Sequence, residues 1–183
     1  LIRGKGEAYG CELLFVRSEG RLTGSAGYTL SWSLRQFEGL NKGKPFYAKY
    51  DRRHDLSLTG RFDISRRISV AAVWVYATGS RITPMSAQFF MPNASLSAID
   101  VLPVYPEKNS IRLPASHRLD ASITLKSRAG KKWQYEWQFG GYNLYNRTQP
   151  YRVRIVRNAT GNYKYEAVGL FGFIPFVAYN FKF

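Results

Sequence analysis

The 183 residues carry 27 Lys and Arg against 12 Asp and Glu, for a formal net charge of +15, and 16% of them are Phe, Trp or Tyr. That aromatic share favours strands and membrane interfaces over helical bundles, and no apolar run reaches the roughly 18 residues of a membrane-crossing helix. A transmembrane β-barrel is not excluded, because each of its strands needs only about ten residues of alternating character.

Residues 7–17 read as a strand with Tyr9, Cys11, Leu13 and Phe15 on one side; the other side has Gly10 and Glu12 but also Leu14 and Val16. Cys11 is the only cysteine, so no internal disulfide can form, and it reads as a small apolar filler. Ser18-Glu19-Gly20-Arg21 is a tight turn. Residues 22–35 then set Leu22, Gly24, Ala26, Tyr28, Leu30, Trp32 and Leu34 against a hydroxyl-rich face ending in Arg35. This strand exceeds the usual five or six residues and has the length of a tilted membrane-spanning one.

Residues 36–52 contain Asn41, Gly43 and Pro45 without a period and predict a long loop. Residues 54–64 alternate again, Leu56, Leu58, Gly60, Phe62 and Ile64 opposing Asp55, Ser57, Thr59, Arg61 and Asp63. After a turn at Ser65-Arg66-Arg67, residues 68–78 return with Ile68, Val70, Ala72, Trp74 and Tyr76 on one face. Residues 79–114 hold five prolines and no sustained period, which predicts a second long loop of about 35 residues, a length compact domains seldom keep without function. Residues 116–126 and 133–140 form the next pair of strands about a turn at 128–131, the second raising Trp133, Tyr135, Trp137 and Phe139 on one face. A third long connection, 146–173, contains an expected hairpin of 151–157 with 163–168. The final strand, 174–183, carries Val177, Tyr179, Phe181 and Phe183 on one face.

Seven strands are thus joined by connections that alternate short and long. In an antiparallel meander all the short turns fall on one side and all the long loops on the other, the asymmetry of outer-membrane barrels with periplasmic turns and extracellular loops. A lipocalin-like soluble barrel would need its apolar face inside, and these aromatic columns are too large for a narrow interior. The expected fold is therefore all-β, an antiparallel transmembrane β-barrel, with the carboxy-terminus periplasmic. Bacterial single-chain barrels have even strand numbers. An odd count, together with a first residue that is Leu1 and no secretory leader after it, predicts that residues 1–183 are the carboxy-terminal part of a larger barrel. Standing alone, its edges would leave backbone groups unsatisfied in lipid, at several kcal/mol each.

Basic residues are spread along the chain, with pairs at Arg52-Arg53, Arg66-Arg67 and Lys131-Lys132 and no helical stripe. This argues against nucleic acid and suits lipid or sugar-linked phosphates and the lining of an aqueous pore. His54 and His117 each open a descending strand beside Arg and Asp; by parity the histidines face lipid near the outer interface, while Arg53, Asp55, Arg118 and Asp120 face the lumen as ion pairs. No nucleophile elbow or Ser-His-Asp order is present, so neither a catalytic nor a metal site is expected, and no cofactor. Extracellular loop residues Asn41, Lys42, Lys44, Tyr47, Phe89, Phe90, Tyr105, Arg152 and Arg154 mix aromatic surface with hydrogen-bonding groups and are the candidates for ligand binding.

Several segments carry a family resemblance: 6–12 (GEAYGCE), 27–33 (GYTLSWS), 50–56 (YDRRHDL), 74–79 (WVYATG), Arg118-Leu119-Asp120, 142–146 (YNLYN) and 179–183 (YNFKF). In order and spacing these resemble the carboxy-terminal barrel of TonB-dependent outer-membrane receptors of the Bacteroidota type, to which SusC-like transporters belong. The resemblance implies a 22-stranded barrel in the outer membrane of a Gram-negative bacterium, plugged by an amino-terminal domain outside this chain. It implies import of a nutrient such as a siderophore, oligosaccharide, peptide or cobalamin-like ligand, driven by TonB. Implied partners are outer-membrane lipid and lipopolysaccharide, the remaining strands and plug, TonB through the amino-terminal part, and a surface lipoprotein lid. Tyr179, Phe181 and Phe183 resemble the signal read by the barrel assembly machinery, which would pair this strand by β-addition. A non-transport outer-membrane barrel, serving as adhesin, passive porin or assembly scaffold, is the alternative.

Overall fold

The computed structural model describes residues 3–92, 99–105, 107–128, 133–148, 150–157, 163–169 and 171–182. Among them the chain is all-β. Its strands are β1 (Gly4–Arg17), β2 (Leu22–Phe37), β3 (Phe46–Tyr47), β4 (His54–Asp63), β5 (Ile68–Ala77), β6 (Arg81–Ile82) and β7 (Ala87–Pro92). They continue as β8 (Ile99–Val104), β9 (Ile111–Arg112), β10 (Ser116–Lys126), β11 (Gln134–Tyr142), β12 (Pro150–Arg157), β13 (Tyr163–Gly169) and β14 (Ile174–Lys182). An eight-stranded sheet runs β1-β2-β4-β5-β10-β11-β14, with β3 added beside β2. The sheet is open, and β1 and β14 are its edges. Phe183 lies outside the described residues.

The long strands are those that alternation predicts, and their registers explain why they pair. Antiparallel pairing puts Phe62 opposite Val70, Val70 opposite Ile123, Ile123 opposite Phe139 and Phe139 opposite Val177. Nearer the short turns, Leu125 meets Trp137, and Trp137 meets Tyr179. A slip of one residue at any of these ladders would turn an apolar face against a polar one, so the pattern fixes the register. The opposite face pairs Lys126 with Glu136 at 3.5 Å and Ser25 with Thr59 at 2.8 Å, and Gln138 donates to the Ser122 hydroxyl at 3.1 Å.

Nothing among the described residues packs over most of the apolar face. Val177 and Phe181 are each 62% exposed, and among the described residues the buried apolar side chains are Phe46, Ala48 and Ala77. Ring contacts within the face, Trp137 with Tyr179 at 4.4 Å and Tyr179 with Phe181 at 5.9 Å, each add roughly 0.5–1.5 kcal/mol but bury little. A transverse row of small residues crosses this face: Gly60, Ala72, Ala121 and Gly141 are successive cross-strand partners. The row makes an apolar hollow of about 700 Å³, bordered by Phe62, Val70, Ile123, Phe139, Leu144 and Phe173. A Cβ on Gly141 would lie 2.3 Å from the Phe173 ring and 2.9 Å from Leu144, so the hollow admits those two side chains only while position 141 is bare.

The chain divides into two compact units. One comprises Leu1–Cys11, Leu30–Arg53 and Thr78–Pro114; the other comprises Glu12–Thr29, His54–Ala77 and Ala115–Phe183. In the first, residues 36–52 are more regular than their lack of period suggests. A 3₁₀ turn at Asn41–Gly43 leads into β3, which pairs Tyr47 with Leu34 and Phe46 with Arg35. The described residues between 79 and 114 are likewise laddered rather than shapeless, β6 with β9 and β7 with β8. Their prolines conceal this. In a two-stranded ladder both strands are edges, so Pro92 and Pro103 can stand opposite Ile99 and Gln88 without breaking a central sheet. The β12–β13 ladder is the hairpin expected inside the third connection.

In the second unit Asn143 organises the return from β11. Its side chain is fully buried and its φ is 55°, a left-handed conformation that Asn tolerates better than most residues. Its N–H donates to Asp120 Oδ1 at 2.8 Å, and its Nδ2 donates to the carbonyls of Arg147 at 2.9 Å and Phe171 at 3.2 Å. Replacing Asn143 with Ala strands those carbonyls and strains the backbone, and should cost about 1–3 kcal/mol. Denaturant unfolding of the variant, read against the parent, checks this; an unchanged midpoint would contradict the bridging role.

Candidate functional site

Among the described residues a dense polar constellation lies in the first unit around Asp51, whose side chain is fully buried. The backbone brings it there in steps. The Ala48 N–H donates to Ser33 O at 2.9 Å, holding the segment after β3 along β2, and the Asp51 N–H closes onto Ala48 O at 3.1 Å. Asp51 Oδ1 then accepts the Ser33 N–H at 2.9 Å. Its other oxygen, Oδ2, is 2.5 Å from Arg112 Nη2, 3.8 Å from Arg53 Nη2 and 3.9 Å from Arg81 Nε. Three guanidiniums converge on one oxygen.

Arg81 and Arg112 are direct cross-strand partners in the β6–β9 ladder, a pairing of like charges that is unfavourable unless a counter-charge sits beside it. Two positive charges about 6 Å apart repel by roughly 3 kcal/mol at an effective dielectric near 20. Asp51 offsets this for Arg112 most fully. Arg112 Nη1 also donates to the Asp51 carbonyl at 2.7 Å and to Gly79 O at 3.0 Å, so this arginine is tied to three points of the backbone and carboxylate. Arg53 and Arg81 are held instead by aromatic faces. The Arg53 guanidinium lies 4.3 Å from the Trp32 ring centre and 5.6 Å from that of Tyr47, and Arg81 lies 4.1 Å from Tyr47. Trp32 in turn stacks on Tyr9 at 5.3 Å. Among the described residues the buried Nε atoms of Arg53 and Arg81 find no hydrogen-bond partner. Burial, and secondarily the charge of Arg112, pull the Arg81 pKa below the ordinary guanidinium value.

Around this centre Asn109, itself buried, donates from Nδ2 to Tyr47 O at 2.8 Å and from its N–H to Thr83 Oγ1 at 3.1 Å. Asn41 Oδ1 accepts the Lys108 N–H at 2.8 Å. Of the residues proposed from sequence for ligand contact, Asn41 and Tyr47 therefore join this assembly. Lys42, inside the 3₁₀ turn, and Lys44, directly after it, are exposed. Phe89 and Tyr105 are exposed at 60% and 48% and belong to none of the contacts above. Phe90, Arg152 and Arg154 occupy positions in β7 and β12, and their side chains lie outside the described residues.

Sequence reasoning missed Asp51, Arg81 and Arg112 as a group, because they come from three separate stretches that only the β6–β9 ladder and the run after β3 bring together. It also placed Arg53 in the lumen by parity. The Arg53 side chain instead lies against Trp32, whose position in β2 belongs to the apolar face. Arg53 precedes the first residue of β4, where strand parity no longer governs direction and the pull of Asp51 and the indole face does. The second pair singled out, Arg118 with Asp120, is an ion pair at 3.0 Å with Arg118 over the Tyr142 ring at 3.9 Å. His54 Nδ1 is hydrogen-bonded to the Tyr28 hydroxyl at 2.8 Å, and His117 meets Tyr145 edge-on at 5.6 Å. Among the described residues no three His, Cys, Asp or Glu side chains gather as a metal site. Comparison with protein-family models, with curated proteins and with solved structures returned no match.

Removing the central carboxylate by Asp51→Ala leaves three neighbouring cations uncompensated and should cost about 3–5 kcal/mol. The loss is expected locally, as faster hydrogen exchange at the amides of Ala48, Arg81 and Leu113, which close this unit onto Ser33, Lys49 and Ser80. Exchange at those amides equal to the parent's would show that the carboxylate does not hold the unit together.

Proposed function

We propose that the chain is the carboxy-terminal part of an outer-membrane β-barrel, and that the barrel is a TonB-dependent transporter importing a nutrient through a plugged lumen. The observation that carries the membrane part is the uncovered apolar face, continuous in register from Phe62 through Val70, Ile123 and Phe139 to Val177. A sheet in water covers such a face with a second layer, whereas lipid itself covers the outside of a barrel. The polar opposite face, with Lys126, Glu136, Ser122 and Gln138, then lines the lumen. The open edges at β1 and β14 suit a chain whose remaining strands, up to the 22 of the proposed family, complete the ring. Among the described residues no helix is long and apolar enough to cross a membrane, so any crossing by them is made by strands.

Transport is supported by the family resemblance of the segments around YDRRHDL and YNLYN. The short turns at 18–21 and 65–67 face the periplasm, the long excursions carrying Asn41, Tyr47, Phe89 and Tyr105 face outward, and the terminal strand with Tyr179 and Phe181 is the segment presented to the assembly machinery.

Two experiments test this reading. Ile123→Lys places a charge on the lipid face and should cost roughly 2–4 kcal/mol near the bilayer midplane, seen as less heat-resistant folded barrel in outer membranes, while Thr124→Lys on the neighbouring polar position is tolerated. Equal behaviour of the two would remove the membrane reading. For transport, growth on candidate nutrients should fail without TonB; uptake that persists in its absence would favour a passive porin, and growth indifferent to the whole protein would favour an adhesin or scaffold.

A further inference from the structure

The Asp51 centre is over-supplied with positive charge. Three guanidiniums face one carboxylate, leaving a net charge of +2, and among the described residues only Arg112 has most of its donors taken up. Arg81 adds one long contact, from Nη1 to Ser110 O at 3.4 Å, and among the described residues the Arg53 guanidinium has only its ion pair at 3.8 Å and its two aromatic neighbours. A guanidinium carries five N–H donors in a fixed fork, so these two arginines hold most of theirs unused. They are not fully enclosed, with 21% of the Arg53 side chain and 16% of the Arg81 side chain open to solvent. Tyr47 stands between them and fixes both, which removes the entropy a flexible side chain would lose on gripping a ligand.

We propose that Arg53 and Arg81, seated on Trp32 and Tyr47, form a binding site for a doubly charged phosphate-type oxyanion, either free or borne on a lipid or sugar headgroup. A phosphate monoester carries about −1.5 to −2 charges at neutral pH, which matches the surplus, and its several oxygens suit donors arriving from two separate guanidiniums. Asp51 and Arg112 then act as the foundation of the site rather than as its contacts. The site stands on this cluster alone and does not depend on the transport reading; if the anion is part of a cargo, it gives the cargo its charge.

Trp32 supplies the readout, because an anion docking on Arg53 alters the field over the indole 4.3 Å away. The full-length protein containing this chain, purified in detergent, is titrated with inorganic phosphate at constant ionic strength held with sodium chloride, following tryptophan emission and repeating with Trp32→Phe as the control. A saturable change that disappears in Trp32→Phe is expected, with affinity falling at least tenfold in Arg81→Gln and in Arg53→Gln. Each of these variants removes a like charge, so unfolding midpoints without phosphate should hold or rise; a fall would mean that the arginines are structural and would overturn the proposal. No saturable response, or affinity unchanged in both variants, would also overturn it. Vesicles bearing a phosphorylated glycolipid distinguish the source. A response to them that inorganic phosphate competes away assigns the site to a headgroup, and phosphate binding with no vesicle response assigns it to a free anion. Uptake is not measured here, so loss of TonB dependence would sink the transport reading while leaving this site, and absent phosphate binding would do the reverse.

Discussion

Cross-strand hydrogen bonding, rather than burial, is the constraint on which the larger sheet depends. With few of the described side chains removed from solvent, the usual area-proportional stabilisation is small within this sheet, and its long antiparallel ladders carry an exposed apolar side between the edge strands β1 and β14. The alternation of side chains decides which side that is. It also decides register, since Phe62, Val70, Ile123, Phe139 and Val177 can form one band only in the pairing observed. Register and environment are therefore the same information: the medium that accepts the band selects the pairing.

The loop-bearing unit is built on the opposite principle. There the structure turns on charge, with a buried carboxylate that gathers arginines from β9, β6 and the approach to β4, and aromatic rings that stiffen them. Desolvating several charges for the sake of one is costly, and the cost is moderated by leaving the arginines partly open and by laying them on ring faces, where a cation is attracted even without a hydrogen bond. Rigid positively charged groups at a partly open surface are what such a compromise leaves behind.

The sheet strands could be read from the sequence almost to their ends. Residues 22–35 were expected and β2 spans Leu22–Phe37; residues 116–126 were expected and β10 spans Ser116–Lys126. Period-two alternation is a local property and survives without tertiary knowledge. What could not be read are the short ladders β6–β9 and β7–β8, whose strands are two and six residues long. Periodicity has no meaning over two residues, and prolines argue against pairing unless one knows that the strand is an edge. Of the candidate site, Asn41 and Tyr47 were found because polar and aromatic loop residues invite attention. Asp51 was visible only as one member of an Arg-rich run, and Arg112 not at all, because its partner lies 61 positions away.

Asn143 and Asn146 have a consequence for how the surface of this protein can change. Asn143 joins the carbonyls of Arg147 and Phe171, Asn146 Oδ1 accepts the Phe173 N–H at 2.9 Å, and Phe173 sits over the bare backbone of Gly141. The two ends of the third excursion are thus clasped to each other at the sheet rim through the side chains of Asn143 and Asn146. That makes the segment between Arg147 and Phe171 a cassette: its length and composition can diverge freely, as loop-closure entropy grows only slowly with length, while β11 and β14 keep their pairing. New surface chemistry can be grafted there without renegotiating the wall beneath it.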